Sequence, residues 1–235
     1  FIPLFLQIVY GATPTVAGLR MLPLMGGLLV ASVLAGRAIS RIGRYRPFPI
    51  AGTAVLVVGM YLLSRLGVDT PAWVASAYMV VVGVGLGLVM QVLVLAVQND
   101  ARPEDIGVAT ASATFFRGVG GAFGVALFGT IFASRLSGQL ASMPRRVTAH
   151  LGSGVQLNPT QIDQLPSRVH EEVLHAFAHS LSGVFLFGTA LALVPFVLSW
   201  FLKEVPLRTT VTPESAPPEP SGQVAWESTE PVTRR

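Results

Sequence analysis

The sequence predicts an all-α fold, a polytopic transmembrane helical bundle. Three observations predict it. Hydrophobic residues make up 51% of the chain and charged residues 12%, where a soluble domain carries about 25% charge. The charges gather in links and in the C-terminal tail, leaving apolar windows of about 17 to 26 residues; a hydrocarbon core about 30 Å thick takes roughly 20 helical residues. A short arginine-rich stretch, Gly36 to Pro47, lies between two of these windows, where a basic link fixes how the chain sits in a membrane.

Taken in order, Phe1 to Tyr10 is apolar but too short to span, and reads as the end of a helix. The chain starts at Phe1 inside this segment, with no initiator Met and no basic signal-peptide region; the expectation is that the N-terminal part of a longer protein precedes it. Gly11 to Pro14 is a turn. A span follows over 18–36, about 28 Å long at 1.5 Å per residue. Arg20 lies at its start and can snorkel to the interface, and Pro23 sits near the first turn, where a missing N–H costs least. After the basic link, with Arg37, Arg41, Arg44 and Arg46, Pro47 and Pro49 open a span over 48–66. Gly67 to Pro71 is a tight turn. The span 73–97 carries no charge but contains Gly83, Gly85 and Gly87, then Gln91, with Gln98 just beyond it. Asn99 to Gly107 is a polar link. The span 108–134 holds Arg117. Residues 135–178 form a longer polar outer segment, in which Val169, Val173, Leu174 and Phe177 are spaced as on an amphipathic helix leading into the membrane. The last span is 179–202. From 203 to 235 the composition shifts to Pro, Glu, Ser and Thr, and cannot bury enough apolar surface to order itself; a disordered cytoplasmic tail is predicted. Placing the basic link in the cytoplasm puts Arg102, Lys203, Arg208, Arg234 and Arg235 on the same side, as the positive-inside rule favours; 135–178 is then outside.

Composition also excludes functions. The pI near 10.1 does not signal nucleic-acid binding, because no run pairs basic residues with exposed aromatics. No cysteine is present, so disulfides and thiolate chemistry are excluded. His175 and His179 are four apart and could place two imidazoles on one metal, but no third ligand stands in a matching motif. No metal site is expected, and the histidines read as solvated or interfacial. No Ser-His-Asp or paired-carboxylate arrangement shares a face, so the chain has no enzyme chemistry to stand on and no cofactor is expected.

The candidate site residues are few. Arg117 is the only charge well inside an expected span, where insertion costs at least about 2.5–3.5 kcal/mol, so it must face protein or water. It reads either as a substrate or coupling residue in a central cavity, or as an arginine near the cytoplasmic end that holds the 99–107 link through Asp100, Glu104 or Asp105. Gln91 and Gln98 are seven apart and share a helix face. Gln91 is the better cavity candidate or else makes an interhelical hydrogen bond worth about 0.6 kcal/mol; Gln98 is nearer the helix end. Gly83 with Gly87, and Gly120 with Gly124, read as close helix-packing pairs. The basic link is either a topology anchor or a latch that pairs with a carboxylate, or with helix C-terminal carbonyls, in one conformation only.

Gly36, Arg37, Arg41, Gly43 and Arg44 resemble the basic loop between the second and third helices of each six-helix half in the major facilitator superfamily, with Ser40 where that motif carries an acid. Pro3-Leu4-Phe5-Leu6-Gln7, Ala17-Gly18-Leu19 with Leu22-Pro23, Gly87 with Gln91, and Phe115-Phe116-Arg117 with Gly120, Gly121 and Gly124 are similar to the fourteen-span drug:proton antiporter branch (the EmrB/QacA type). The resemblance runs to about Leu202 and implies the C-terminal six-helix half of the fold, its first helix truncated. It implies proton-coupled export of small, amphipathic, often cationic compounds across the cell membrane by alternating access. The partners are then the lipid bilayer, the small amphipathic substrate, the proton and the missing N-terminal half. No Asp or Glu falls inside an expected span, so the coupling carboxylate is expected on that half. A major facilitator for a nutrient or metabolite, and a non-transporting membrane scaffold, remain as alternatives.

Overall fold

The structure, a computed structural model, describes residues 1–141 and 166–202. Every regular element among them is helical. In chain order these are α1 (Ile2–Ile8), α2 (Pro14–Leu19), α3 (Leu22–Ile42), α4 (Pro47–Ser64), α5 (Ala72–Asp100), a single 3-10 turn (Pro103–Asp105), α6 (Ile106–Ala141) and α7 (Ser167–Ser199). Among the described residues, five stretches are long and apolar enough to cross a membrane: Pro14–Ile42, Pro47–Ser64, Ala72–Asp100, Pro103–Gln139 and Val169–Ser199. The all-helical membrane bundle predicted from the sequence is the observed fold class.

Local chemistry sets most helix ends. Thr13 caps α2 by accepting from the Val16 N–H, with Pro14 in the first turn; Pro suits that position because its N–H would have no intrahelical partner. The expected single helix over 18–36 is instead broken at Arg20 and Met21. Pro23 lies in the first turn of α3, and in a continuous helix its ring would clash with the Leu19 carbonyl. At the other end, α3 runs past Gly36 to Ile42, so Arg37 and Arg41 stand on its last turns rather than in a link. Arg, Ala, Ile and Ser all tolerate helix. The first residue able to stop it is Gly43, which takes φ 70° and closes α3 with its N–H on the Ile39 carbonyl at 2.8 Å. A left-handed closing glycine is the usual helix stop.

Other bounds shift likewise. α5 runs through the amides to Asp100, and α6 continues past residue 134 into the stretch expected as the polar outer segment. The amphipathic helix and the last span are one helix, α7, which starts at Ser167. Residues 142–165 of the expected outer segment, and the tail 203–235, lie outside the described residues.

α5 is the centre of the packing. In lipid the apolar transfer term between helices largely vanishes, so close van der Waals approach must hold them. Glycine provides it on two faces. A Cβ on Gly83 would fall on the Leu24 carbonyl of α3, and one on Gly87 on the Leu28 carbonyl; one on Gly85 would stand 2.8 Å from the Leu56 nitrogen of α4. Gly27 of α3, and Gly52 and Gly59 of α4, meet α5 as closely. The Ser32 hydroxyl donates to the Gly87 carbonyl at 3.1 Å, tying α3 to α5. α4 also packs on α7, where the Ser182 hydroxyl donates to the Ser64 carbonyl.

One end of the bundle is filled by large side chains: Phe5, Leu63, Met79, Phe177, Leu181 and their neighbours. The opposite end, beside the basic stretch, has a small cluster of Ile39, Tyr45 and Val92. Large apolar residues such as Leu29 and Leu34 of α3, Phe123 and Val125 of α6, and Val194 and Val197 of α7 are exposed. Apolar exposure on this scale marks surfaces meant for lipid or protein.

Candidate functional site

Below the large core, α6 parts from α4 and α5. The opening is a cavity of about 420 Å³. α5 lines it with Leu86, Val89, Met90, Leu93, Val94 and Val97, and α6 with Thr110, Ala113, Thr114 and Arg117, while Leu56 of α4 forms its back. Both sets follow the three- and four-residue spacing of one helix face. α6 stands off because its face offers no tight contact: in its most apolar 18-residue window no residue is buried.

Arg117 brings the only formal charge to this lining. Its Nη1 donates to the Met90 Sδ at 3.7 Å, a weak acceptor. It makes no bond to Asp100, Glu104 or Asp105 among the described residues; Glu104 instead lies 3.9 Å from exposed Arg102. The structure therefore places Arg117 on the cavity rather than on the 99–107 link. Gln98 closes the seam between α5 and α6 near the helix ends, its Nε2 donating to the Thr110 Oγ1 at 3.4 Å. Gln91 is exposed and does not line the cavity. Neither amide lines this cavity; Gln98 bonds across the seam instead. One turn of helix is 3.6 residues, so the seven-residue spacing holds Gln91 and Gln98 on one side of α5, but Met90 and Leu93 occupy the cavity at Gln91's level.

A second cavity of about 480 Å³ adjoins the first, sharing Leu93 and Val97 with it, and opens beside Tyr45, Asp100 and Leu202. Together they make an apolar groove that runs from the end of α5 to Arg117.

The basic stretch lies at that same end. Arg37 and Arg41 are exposed, as are Gly43 and Arg44, and Gly36 has nothing within 4 Å of where a Cβ would stand. Ser40, in the position where the motif carries an acid, donates to the Gly36 carbonyl of its own helix at 3.0 Å. The tether comes from a residue outside the motif: Arg46 Nη2 donates to the Trp200 carbonyl at 2.7 Å, at the C-terminal end of α7, where a cation complements the helix dipole. Tyr45 is buried beside it.

The packing glycines divide. Gly83 and Gly87 meet α3 backbone, as expected, but Gly120 and Gly124 have nothing within 4 Å of a would-be Cβ. The second pair is therefore corrected: it packs on no described helix, because α6 touches the bundle only along other faces. His175 and His179 lie exposed on α7, and no group of three possible metal ligands occurs among the described residues.

Residues 1–125 match the Major Facilitator Superfamily. An uncharacterized MFS-type transporter of Mycobacterium tuberculosis is 43% identical over 212 residues, 88% of this chain and 30% of that protein. A multidrug transporter protein, MdtP, of Bacillus subtilis is 30% identical, over 88% of this chain and 43% of its own length. A tetracycline resistance determinant of Streptomyces rimosus is 31% identical, over 94% of this chain and 70% of its own. The chain thus spans about a third to two fifths of the first two relatives. With the matched region reaching from α1 into α6, and the helical membrane bundle it forms, the chain belongs to the Major Facilitator Superfamily.

Proposed function

We propose that this chain is the C-terminal half of a fourteen-span drug:proton antiporter, working in the cell membrane with the basic stretch inside. It forms one wall of a midplane cavity for small amphipathic molecules, exported by alternating access. The observation that carries the reading is the apolar cavity of about 420 Å³ with Arg117 on it. Its size falls in the usual range for ligand sites, about 300–1,000 Å³, with one polar group among apolar ones. The relatives named as a multidrug transporter protein and a tetracycline resistance determinant support the substrate class. The proton carrier is proposed on the other half: the carboxylates of α5 and α7 stand at helix ends, at Asp100 and at Glu171 and Glu172.

The test is the purified full-length protein in liposomes with an imposed pH gradient, offered a panel of amphipathic dyes of either charge. Gradient-driven dye movement is expected. Arg117→Ala should change the dye profile while Gln91→Ala leaves it intact. No movement of any dye, by protein that binds them, would refute transport and favour a scaffold.

A further inference from the structure

We propose that the cavity between α4, α5 and α6 selects amphipathic anions, holding a carboxylate-like head on the Arg117 guanidinium and an apolar body against Leu86, Val89 and Leu93. The inference rests on the reading that this cavity is a substrate site, and it names the charge class that the site takes.

The charge inventory comes first. Arg117 is the one ionised side chain on the lining, and no Asp or Glu joins it. The nearest carboxylate along α5 is Asp100, ten residues past Met90, about 15 Å away at the helical rise. A cationic head would therefore meet a like charge with no acid beside it.

The second observation is what Arg117 has been left to do. A guanidinium presents five N–H donors in a planar fork that matches a carboxylate in bidentate fashion. Here its hydrogen bond among the described residues goes to one thioether, Met90 Sδ at 3.7 Å. At membrane depth such a group is costly unless an anion or water completes it. The site thus offers donors where an oxyanion would sit, and methyl and methylene groups beyond.

A matched trio of fluorescent probes tests this: 9-anthracenecarboxylate, 9-anthracenemethanol and 9-(aminomethyl)anthracene, which share one apolar body and differ in head charge. Binding to the purified full-length protein in nanodiscs is followed by anthracene fluorescence. The carboxylate should bind about tenfold or more tightly than the alcohol, the ratio a charge-assisted bidentate pair supports, and the ammonium should bind weakest. Arg117→Gln should abolish the carboxylate's advantage and leave the alcohol unchanged; Arg117→Lys should keep part of it. An unchanged melting temperature in the lysine variant shows that the fold is intact. Equal loss of all three probes in both variants, tightest binding of the ammonium, an unaltered carboxylate affinity in Arg117→Gln, or no binding of any probe would each overturn the proposal; the third outcome would mean that a carboxylate elsewhere in the full-length protein already neutralises Arg117. Carboxylate binding without gradient-driven transport would sink the antiporter reading and leave this one standing.

Discussion

Gly83→Ala should loosen the bundle although it adds a single methyl group. The new Cβ would fall on the Leu24 carbonyl oxygen, with the Leu24 carbonyl carbon and the Leu28 nitrogen each at 3.0 Å. Ordinary contact begins at 3.4 Å, so α3 must retreat by 0.4 Å from those two atoms and further from the oxygen. Every obstructing atom is backbone, so no rotamer change relieves the strain. Overpacking costs about 1–3 kcal/mol, and against unyielding backbone the upper part, about 2–3 kcal/mol, applies; alanine's better helix propensity returns about 1 kcal/mol. The net loss is about 1–2 kcal/mol before counting the Ser32–Gly87 bond that retreat would stretch. For a chain of this size, that lowers the melting temperature by about 2–8 °C. The assay is thermal unfolding of the purified protein in detergent, followed by intrinsic tryptophan fluorescence. Gly83→Ala with wild-type stability would refute the close-approach account. The sequence-equivalent change Gly120→Ala meets nothing within 4 Å and should be neutral or stabilising by up to about 1 kcal/mol. A loss there would show that a segment outside the described residues covers that face.

Two further predictions concern the end of the bundle that carries the basic stretch. Arg46→Ala removes the charge-assisted bond to the Trp200 carbonyl, worth about 1.5–3 kcal/mol, and should free the end of α7; iodide quenching of tryptophan fluorescence should rise, and an unchanged quenching constant would exclude the tether. Because the chain has no cysteine, Arg41→Cys gives a single reporter. It should react with a membrane-impermeant maleimide only from the cytoplasmic side, and labelling from outside would invert the proposed orientation.

The helices were legible because lipid demands long apolar windows, which composition shows directly. Their ends were less so. The basic stretch was read as a link because of its charge, yet arginine is a good helix former, and only Gly43 could supply the left-handed stop. Two glycine pairs with the same spacing looked alike, yet Gly83 faces α3 and Gly120 faces no described helix, because spacing shows which residues share a face and not what stands opposite. The seven-residue spacing puts Gln91 and Gln98 on one side of α5, yet neither lines the cavity, because where α6 parts from α5 is set by α6's position rather than by anything on α5. The basic stretch was legible as a latch on helix C-terminal carbonyls, but not the bond Arg46 makes: its partner is a main-chain oxygen 154 positions away, and a carbonyl leaves no trace in the identity of residue 200.

Glycine-lined seams have a mechanical consequence. Where main chain lies directly on main chain, few side chains are present to reorient, so α3, α4 and α5 form a stiff slab with little slack. α6 borders that slab across threonines, a methionine and an open groove, the softer joint. Any swing that admits or releases cargo would then hinge along the α5–α6 seam and leave the slab undeformed.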